Sequence, residues 1–541
     1  MLECGTARLR DQVEQSTLSD WSHHREVRYN VTLSGGSSTR RAKALTSHSS
    51  DQHVTRPPSA ALALPIWVRA ADTFTVLLGL SALQAFFFGG VRIGALSIGD
   101  PWRPLIALLI ISTVRHYFLR SPPLYQCAGN WLRTAWPRDA VTATWPLVVI
   151  TRLSVLLVGY LAVVSIGYPE GAPPFRLSDN EAVNLPLRWD TGWYLNIAME
   201  GYQWDVEAEG QQNIAFFPGY PLLTRGVANL LGAQHVMRPP LDRPPRLAME
   251  QFQQIFLGSA LLVSLLSFAW GMVWLYRLAR EHMNDSASRS ALLLMSAYPF
   301  AMFFSAAYSE SLMFLAVTGA FYHFKRERWV AASFWALMAG ITRANGFLLA
   351  GPLAVLALRQ IRGRRAASVS RNQFVRHALL ACLAGAMPVV GVLLFSGFIY
   401  SLTGDPFQWR EAHTAWGRSF TGASTLMLPI ESISERGLIE YTSAQPVEAL
   451  NAFAAILACS LIWPVIRRLG LEYGLLMTLS VGPPLLFGGF LSMGRVTSLL
   501  FPMFMYLALA LTDQQRQALV TGFACVQGFA AVLFFTWRVF L

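Results

Sequence analysis

Apolar runs of membrane-crossing length alternate along this chain with short polar segments that carry arginine. The runs occupy about 66–90, 102–119, 141–167, 252–276, 290–305, 311–324, 378–401, 448–466, 471–491, 496–512 and 517–538. A membrane span takes about 20 apolar residues, so most of these runs predict a transmembrane helix. Arg115 lies near the end of the second run, Arg120, Arg133 and Arg138 lie between the second and third, and Arg277, Arg280 and Arg289 follow the fourth. Basic loops stay cytoplasmic. The stretch 359–376 holds six arginines and no acid, so it and Lys325-Arg326-Glu327-Arg328 belong on the same inner side. The residues between them must then leave and return, which predicts a hairpin of short helices meeting near Thr342–Gly346. Broken helices at membrane depth need a protein or water lining, and so mark a cavity.

Residues 168–251 read differently, with ten acids against six arginines and two short amphipathic stretches at about 191–200 and 219–232. Such stretches suit the interface plane. With the N-terminus inside, this segment falls outside the membrane. The pattern therefore predicts an all-α polytopic membrane protein of about 13 transmembrane helices, with amphipathic interface helices in a long extracytoplasmic loop. Four parts follow. Residues 1–64 form a polar, disordered cytoplasmic tail, unless the start codon is misassigned. Residues 65–140 hold two additional N-terminal transmembrane helices. Residues 141–401 form a core that includes the loop 168–251. Residues 402–541 hold a second extracytoplasmic loop and the C-terminal helices. No apolar segment near Met1 suggests a cleavable signal peptide.

Composition sharpens this reading. Of 541 residues, 14% are charged and 53% hydrophobic, whereas a soluble domain carries roughly a quarter charged residues. An ordinary soluble enzyme, a disordered protein and a fibrous one are excluded. The net charge of +12 sits in loops between apolar runs rather than on a soluble basic face, so no nucleic-acid partner is expected. Cys4, Cys127, Cys382, Cys459 and Cys525 form no CxxC, which indicates neither a zinc site nor a disulfide framework. There is no HExxH and no GxxxxGK[ST], so neither a zincin nor a P-loop is supported.

The predicted topology collects one polar set on the outer side: Arg188-Trp189-Asp190 with Trp193 and Tyr194, then Glu310, Arg343 with Asn345, Asp405 with Trp409, and Arg495. Ionisable residues at membrane depth are functional candidates by default. Asp190 stands first. A carboxylate at the edge of a membrane cavity can take a proton from an attacking hydroxyl; equally, Asp190 can cap the helix that starts at Thr191. Trp189, Trp193 and Tyr194 suit both an interface and a sugar face. Arg343 and Arg495 can hold phosphate oxygens bidentately or snorkel to headgroups. Glu310 can partner one of those arginines or a substrate. Asp405 before Pro406 also reads as a turn. Asp205, Glu207 and Glu209 could hold a hard cation, Mg or Mn, or face solvent. No cofactor is required and no metal site is assigned.

The string RWDTGWYLNIAMEGY (188–202), followed by NIAFFPGYPLL (213–223), resembles the PIG-V mannosyltransferase family, in particular its bacterial membrane glycosyltransferases. AYSESL (307–312), TRANG (342–346), GDPFQW (404–409) and the Gly494-Arg495 pair extend the resemblance from about 141 to 510. The resemblance implies a GT-C fold in which Asp190 is the catalytic aspartate of the first outer loop. It also implies a polyprenyl-phosphate sugar donor, with mannose the expected hexose, a glycan or glycolipid acceptor, and inversion at the anomeric centre. Membrane lipid is the remaining partner, and a bacterial plasma membrane is the expected location. Two rivals use the same cavity without this chemistry: a flippase or transporter of lipid-linked saccharides, and a non-catalytic membrane subunit.

Overall fold

The computed structural model describes residues 66–88, 91–93, 96–98, 102–118, 137–172, 175–207, 210–236, 245–366, 370–420, 422 and 424–538. The expected tail at 1–64 lies outside them. Helix dominates, as it must where lipid offers no partner to a peptide group. The exception among the described residues is a hairpin of two three-residue strands, Val91–Ile93 paired antiparallel with Leu96–Ile98.

Among the described residues, six helices are long and apolar enough to cross a membrane: Arg138–Ile166, Arg246–Ala279, Ala344–Ala366, Arg371–Thr403, Pro446–Arg468 and Asp513–Phe535. Counting Pro299–Ser305 with Glu310–Lys325, whose axes meet at 98°, makes seven. The run pattern predicts about 13. The difference arises because several runs fold as short or interrupted helices. Trp329–Thr342 has 14 residues, about 21 Å at 1.5 Å per residue, and the run at 496–512 is split between Met493–Ser498 and Phe501–Ala510. A bilayer core is about 30 Å thick.

The Glu310–Lys325 helix is the centre of the bundle, with every residue from Glu310 to Phe324 buried. It packs against Pro245–Ala279 on one side and Trp329–Thr342 on the other, and the latter packs against Arg371–Thr403. Trp274 stacks on Tyr322 at 4.6 Å, and Phe268 on Phe304 at 4.4 Å. Lipid gives helices no hydrophobic reason to associate, so close packing requires small residues. A Cβ on Gly340 would lie 2.1 Å from the Pro388 carbonyl oxygen, and one on Gly391 2.9 Å from the Gly340 Cα.

The two ends of the central helix differ. At the Lys325 end, Glu281 pairs with Lys325 and Arg326, each at 2.6 Å, Arg359 pairs with Glu472 at 2.6 Å, and Arg364 pairs with Glu327. At the Glu310 end, about 24 Å away, the chain is broken into the 3-10 segment Pro299–Ser305. A break frees carbonyls that lipid cannot satisfy. Arg152, 2% exposed, donates to the carbonyls of Ser296 (2.6 Å) and Ala301. Gln527 Nε2 donates to those of Ser296 (3.0 Å) and Tyr298 (2.8 Å).

Arg152→Met removes the side-chain donor to Ala301. An orphaned buried acceptor costs about 1–3 kcal/mol, so thermal unfolding in detergent is expected to begin several degrees lower. An unchanged melting curve would show that the break is held by other contacts.

Candidate active site

The turn Arg188-Trp189-Asp190 is held from two directions. Arg188, 1% exposed, uses its whole fork on protein groups. Its Nε donates to the Phe535 carbonyl at 2.7 Å, and its Nη1 to those of Asn184 (2.6 Å) and Leu187 (2.8 Å). Its Nη2 donates to the Tyr168 hydroxyl at 2.9 Å. Trp189 Nε1 donates to the Phe534 carbonyl at 3.2 Å. Both residues therefore bind the turn to the end of the Asp513–Phe535 helix. Trp189 has φ +50°, a left-handed conformation that is unfavourable for a bulky side chain.

That conformation delivers Asp190 to the head of the Thr191–Met199 helix. Asp190 occupies the N-cap position, yet its side chain makes no cap hydrogen bond. Its Oδ2 instead accepts from Arg495 Nη1 at 2.8 Å, and its backbone N–H donates to the Tyr308 hydroxyl at 3.0 Å.

Glu310, fully buried, is the second carboxylate. Its Oε1 accepts from Arg495 Nε at 2.8 Å and from Arg343. Its Oε2 is buried with no hydrogen-bond partner among the described residues. Arg343 stands at the break between Trp329–Thr342 and the 3-10 turn Ala344–Leu349, and also donates to Ser309 Oγ at 3.2 Å. Tyr194 shares a 2.8 Å hydrogen bond with the same Ser309. Burial, then the charge of Glu310, pushes the Tyr194 hydroxyl up to about 12, so it stays neutral at physiological pH.

Arg495 lies in the short helix Met493–Ser498, entered through Ser492 at φ +56°. Its guanidinium sits over the Tyr308 ring at 4.9 Å and the Phe303 ring at 5.2 Å. The glycines beside the two site arginines have steric reasons. A Cβ on Gly494 would lie 2.0 Å from the Phe300 ring, and one on Gly346 2.0 Å from the Ala339 carbonyl oxygen.

The structure adds Arg418, which the sequence reading passes over. Its loop crosses the Thr191–Met199 helix, where Trp416 meets Trp193 edge-on at 5.6 Å and Phe216 at 5.4 Å. Burial, followed by the positive charges of Arg495 and Arg343, pushes the Arg418 guanidinium down to about 10, while Asp190 opposes the shift. Arg418 still carries its charge at neutral pH, and its side chain makes no hydrogen bond among the described residues. Only its position two residues after Trp416, within the predicted outer loop, could have flagged it. Three arginines against two carboxylates leave this cluster with a net charge of +1.

The remaining candidates lie elsewhere. Asp405 Oδ1 accepts from the Phe407 backbone N–H at 2.8 Å, a turn contact. Trp409 donates to Ser396 Oγ at 3.0 Å and packs on Phe217 at 5.2 Å. Asn345 borders a narrow crevice with Met313 and Val496. Trp193 stacks on Phe216 at 5.9 Å beside the cluster. Asp205 and Glu207 are exposed, and Glu209 lies outside the described residues. Among the described residues no three His, Cys, Asp or Glu side chains gather to hold a metal ion. A cation at Asp190 and Glu310 would have to displace the guanidinium they share.

Comparison with known proteins agrees with the string that holds Asp190. The family model described as mannosyltransferase (PIG-V) matches residues 172–407. Mouse GPI alpha-1,6-mannosyltransferase 2 is 32% identical over 166 residues, 30% of this chain and 30% of that one. GPI mannosyltransferase 2 of Drosophila pseudoobscura is 31% identical over 175 residues, 31% of this chain and 35% of that one. Human GPI alpha-1,6-mannosyltransferase 2 is 28% identical over 229 residues, 40% and 43% of the two. The matched stretches thus span 30–43% of the length of these relatives. No solved structure matches the chain. Arg418 and Arg495 lie beyond the family match, whereas Asp190, Glu310 and Arg343 lie inside it, and across residues 172–407 this chain is similar to the mannosyltransferase (PIG-V) family.

Proposed function

We propose that the chain is a membrane glycosyltransferase. It would move a hexose, mannose by the family's name, from a polyprenyl-phosphate sugar to a hydroxyl of a glycan or glycolipid acceptor, with inversion. The observation that carries this reading is the cluster in which Arg495 bridges Asp190 and Glu310, with Arg343 and Arg418 beside it.

Its excess charge of +1 complements the single negative charge of a phosphodiester. Guanidinium forks match phosphate oxygens geometrically, and the breaks at Ser309, Arg343 and Ser492 bring these forks to one end of the bundle. A donor phosphate seated there would compete with the carboxylates for Arg495 and so loosen Asp190. The acceptor oxygen would then attack the anomeric carbon from the face opposite the phosphate. The C1–phosphate oxygen bond breaks with its electron pair passing to phosphate, a new C1–O bond forms, and the acceptor proton passes to Asp190. The departing phosphate gains a second negative charge, which the arginines would stabilise. Donors preorganised around developing charge act most strongly where water is excluded. No step requires a cofactor.

The basic ion-pair layer at the Lys325 end supports a cytoplasmic assignment for that end. The Asp190 cluster would then face the extracytoplasmic side of a cell membrane, with the N-terminus inside.

Loss of a general base costs about 10²–10⁴-fold in rate. Asp190→Asn in lipid-reconstituted protein is therefore expected to lose turnover of polyprenyl-phosphate mannose by at least 100-fold while still binding it. Near-normal transfer, or transport of intact donor by the unmutated protein without glycoside formation, overturns the assignment. Arg418→Gln is expected to raise the KM for that donor about tenfold with the fold intact, the scale of a charged hydrogen bond to a ligand. An unchanged KM would place the phosphate elsewhere.

A further inference from the structure

Beside the arginine cluster, and sharing the turn that carries Asp190, lies a cavity of about 940 Å³ that the phosphate chemistry does not use. Small-molecule sites run from about 300 to 1,000 Å³, so this one has room for more than one sugar ring. Two kinds of side chain dominate its walls, which also include the Asp205 carboxylate. Trp189, Trp193, Trp204, Trp537 and Phe175 supply aromatic surfaces, and Asn196, Gln203, Gln211, Gln212 and Asn213 supply carboxamides.

The aromatic wall is built rather than incidental. Trp537, at φ +59°, lies 5.1 Å from Trp189, and Phe175 lies 6.3 Å from Trp537. The amide wall has a fixed layer and a free layer. Asn213 Nδ2 donates to Asn196 Oδ1 at 2.9 Å and to the Gly201 carbonyl at 3.1 Å, while its Oδ1 accepts from the Gln203 backbone at 3.1 Å. Gln212 is closed on the Asp205 backbone. By contrast, the exposed side chains of Gln203 and Gln211 make no hydrogen bond among the described residues, and neither does the indole N–H of Trp204.

The lining selects among occupants. A prenyl chain would want aliphatic walls, whereas this cavity alternates flat rings with amides. An anion would want a cation, but Arg188, the only basic residue of the lining, spends its donors on carbonyls and Tyr168. A pyranose offers what these walls match: an apolar C–H face to lie on an aromatic ring, and a rim of hydroxyls that donate to and accept from carboxamides. We infer that this cavity seats the saccharide portion of the acceptor, one hexose unit or more removed from the hydroxyl presented to Asp190. The choice of acceptor rather than product rests on the transferase reading; the saccharide chemistry does not.

The test uses the full chain in lipid nanodiscs, with α-1,6-mannobiose as the probe and both tryptophan fluorescence and saturation-transfer NMR as readouts. Saturable binding is expected, weakened at least fivefold by Trp537→Ala and by the double variant Gln203→Ala/Gln211→Ala. The double variant touches only exposed side chains, so it keeps its fold even if the tryptophan variant does not. Asp190→Asn is expected to leave this binding unchanged. Absence of saturable binding by the unmutated protein, or binding indifferent to the double variant, overturns the inference even if transfer from polyprenyl-phosphate mannose proceeds. Saccharide binding that follows these variants in a protein without transfer activity would instead sustain the groove and overturn the transferase reading.

Discussion

Everything at the Glu310 end of this bundle depends on one guanidinium shared by two carboxylates. Arg495 reaches Asp190 with one nitrogen and Glu310 with another, and so joins three elements that are far apart in sequence. In a buried setting such an arrangement is not a simple gain, because removing charges from water costs several kcal/mol per ion. What makes it tolerable is mutual compensation: removing Glu310, the carboxylate shared by Arg343 and Arg495, leaves buried positive charge uncompensated, at about 3–5 kcal/mol. The cluster is therefore cooperative, and it is poised, since an incoming anion can replace a carboxylate without leaving an arginine bare.

The cluster can exist only because helices are interrupted beside it. Each interruption frees peptide groups that neither water nor lipid can satisfy, and the chain answers with long side chains from other helices. Arg152 and Gln527 serve the carbonyls near Pro299–Ser305, and Arg188 serves the end of the last helix. Arginines here thus divide into two groups. Arg152 and Arg188 spend their forks on backbone and build the scaffold, while Arg343, Arg418 and Arg495 hold charge at the site. Two non-glycine residues in the left-handed region, Trp189 and Ser492, stand just ahead of Asp190 and Arg495. Such conformations cost about 1–3 kcal/mol each and persist only where the surroundings over-determine them.

The site was only partly legible beforehand. Asp190 reads equally as a helix cap or as a base from local spacing, because both uses need an acid just before Thr191. The carboxylate's turn away from the helix N-terminus toward Arg495 is a contact across 305 positions, which no local pattern encodes. Glu310, Arg343 and Arg495 announce themselves by charge among apolar neighbours. Which of them pair cannot be read from that signal. Arg188 shows the converse: the same signal marks a residue whose whole fork goes to backbone carbonyls and one tyrosine. Arg418 follows the GDPFQW motif by nine residues and sits in no apolar run, so nothing local marks it, and only packing of Trp416 on Trp193 carries it inward.

By itself the sequence determined the medium, the helical class and the two short helices of the 168–251 segment, since these follow from local hydropathy and period, which lipid enforces residue by residue. Thr191–Met199 and Gly219–Leu230 fall almost where the amphipathic stretches predict them. Only the tertiary structure decided how many runs become full spans, which breaks converge, and which charges neutralise one another. Those outcomes depend on close approaches such as Gly340 with Gly391 and on donors supplied by distant helices. The free energy of such contacts resides in pairs of residues, and a linear pattern of single residues does not contain it.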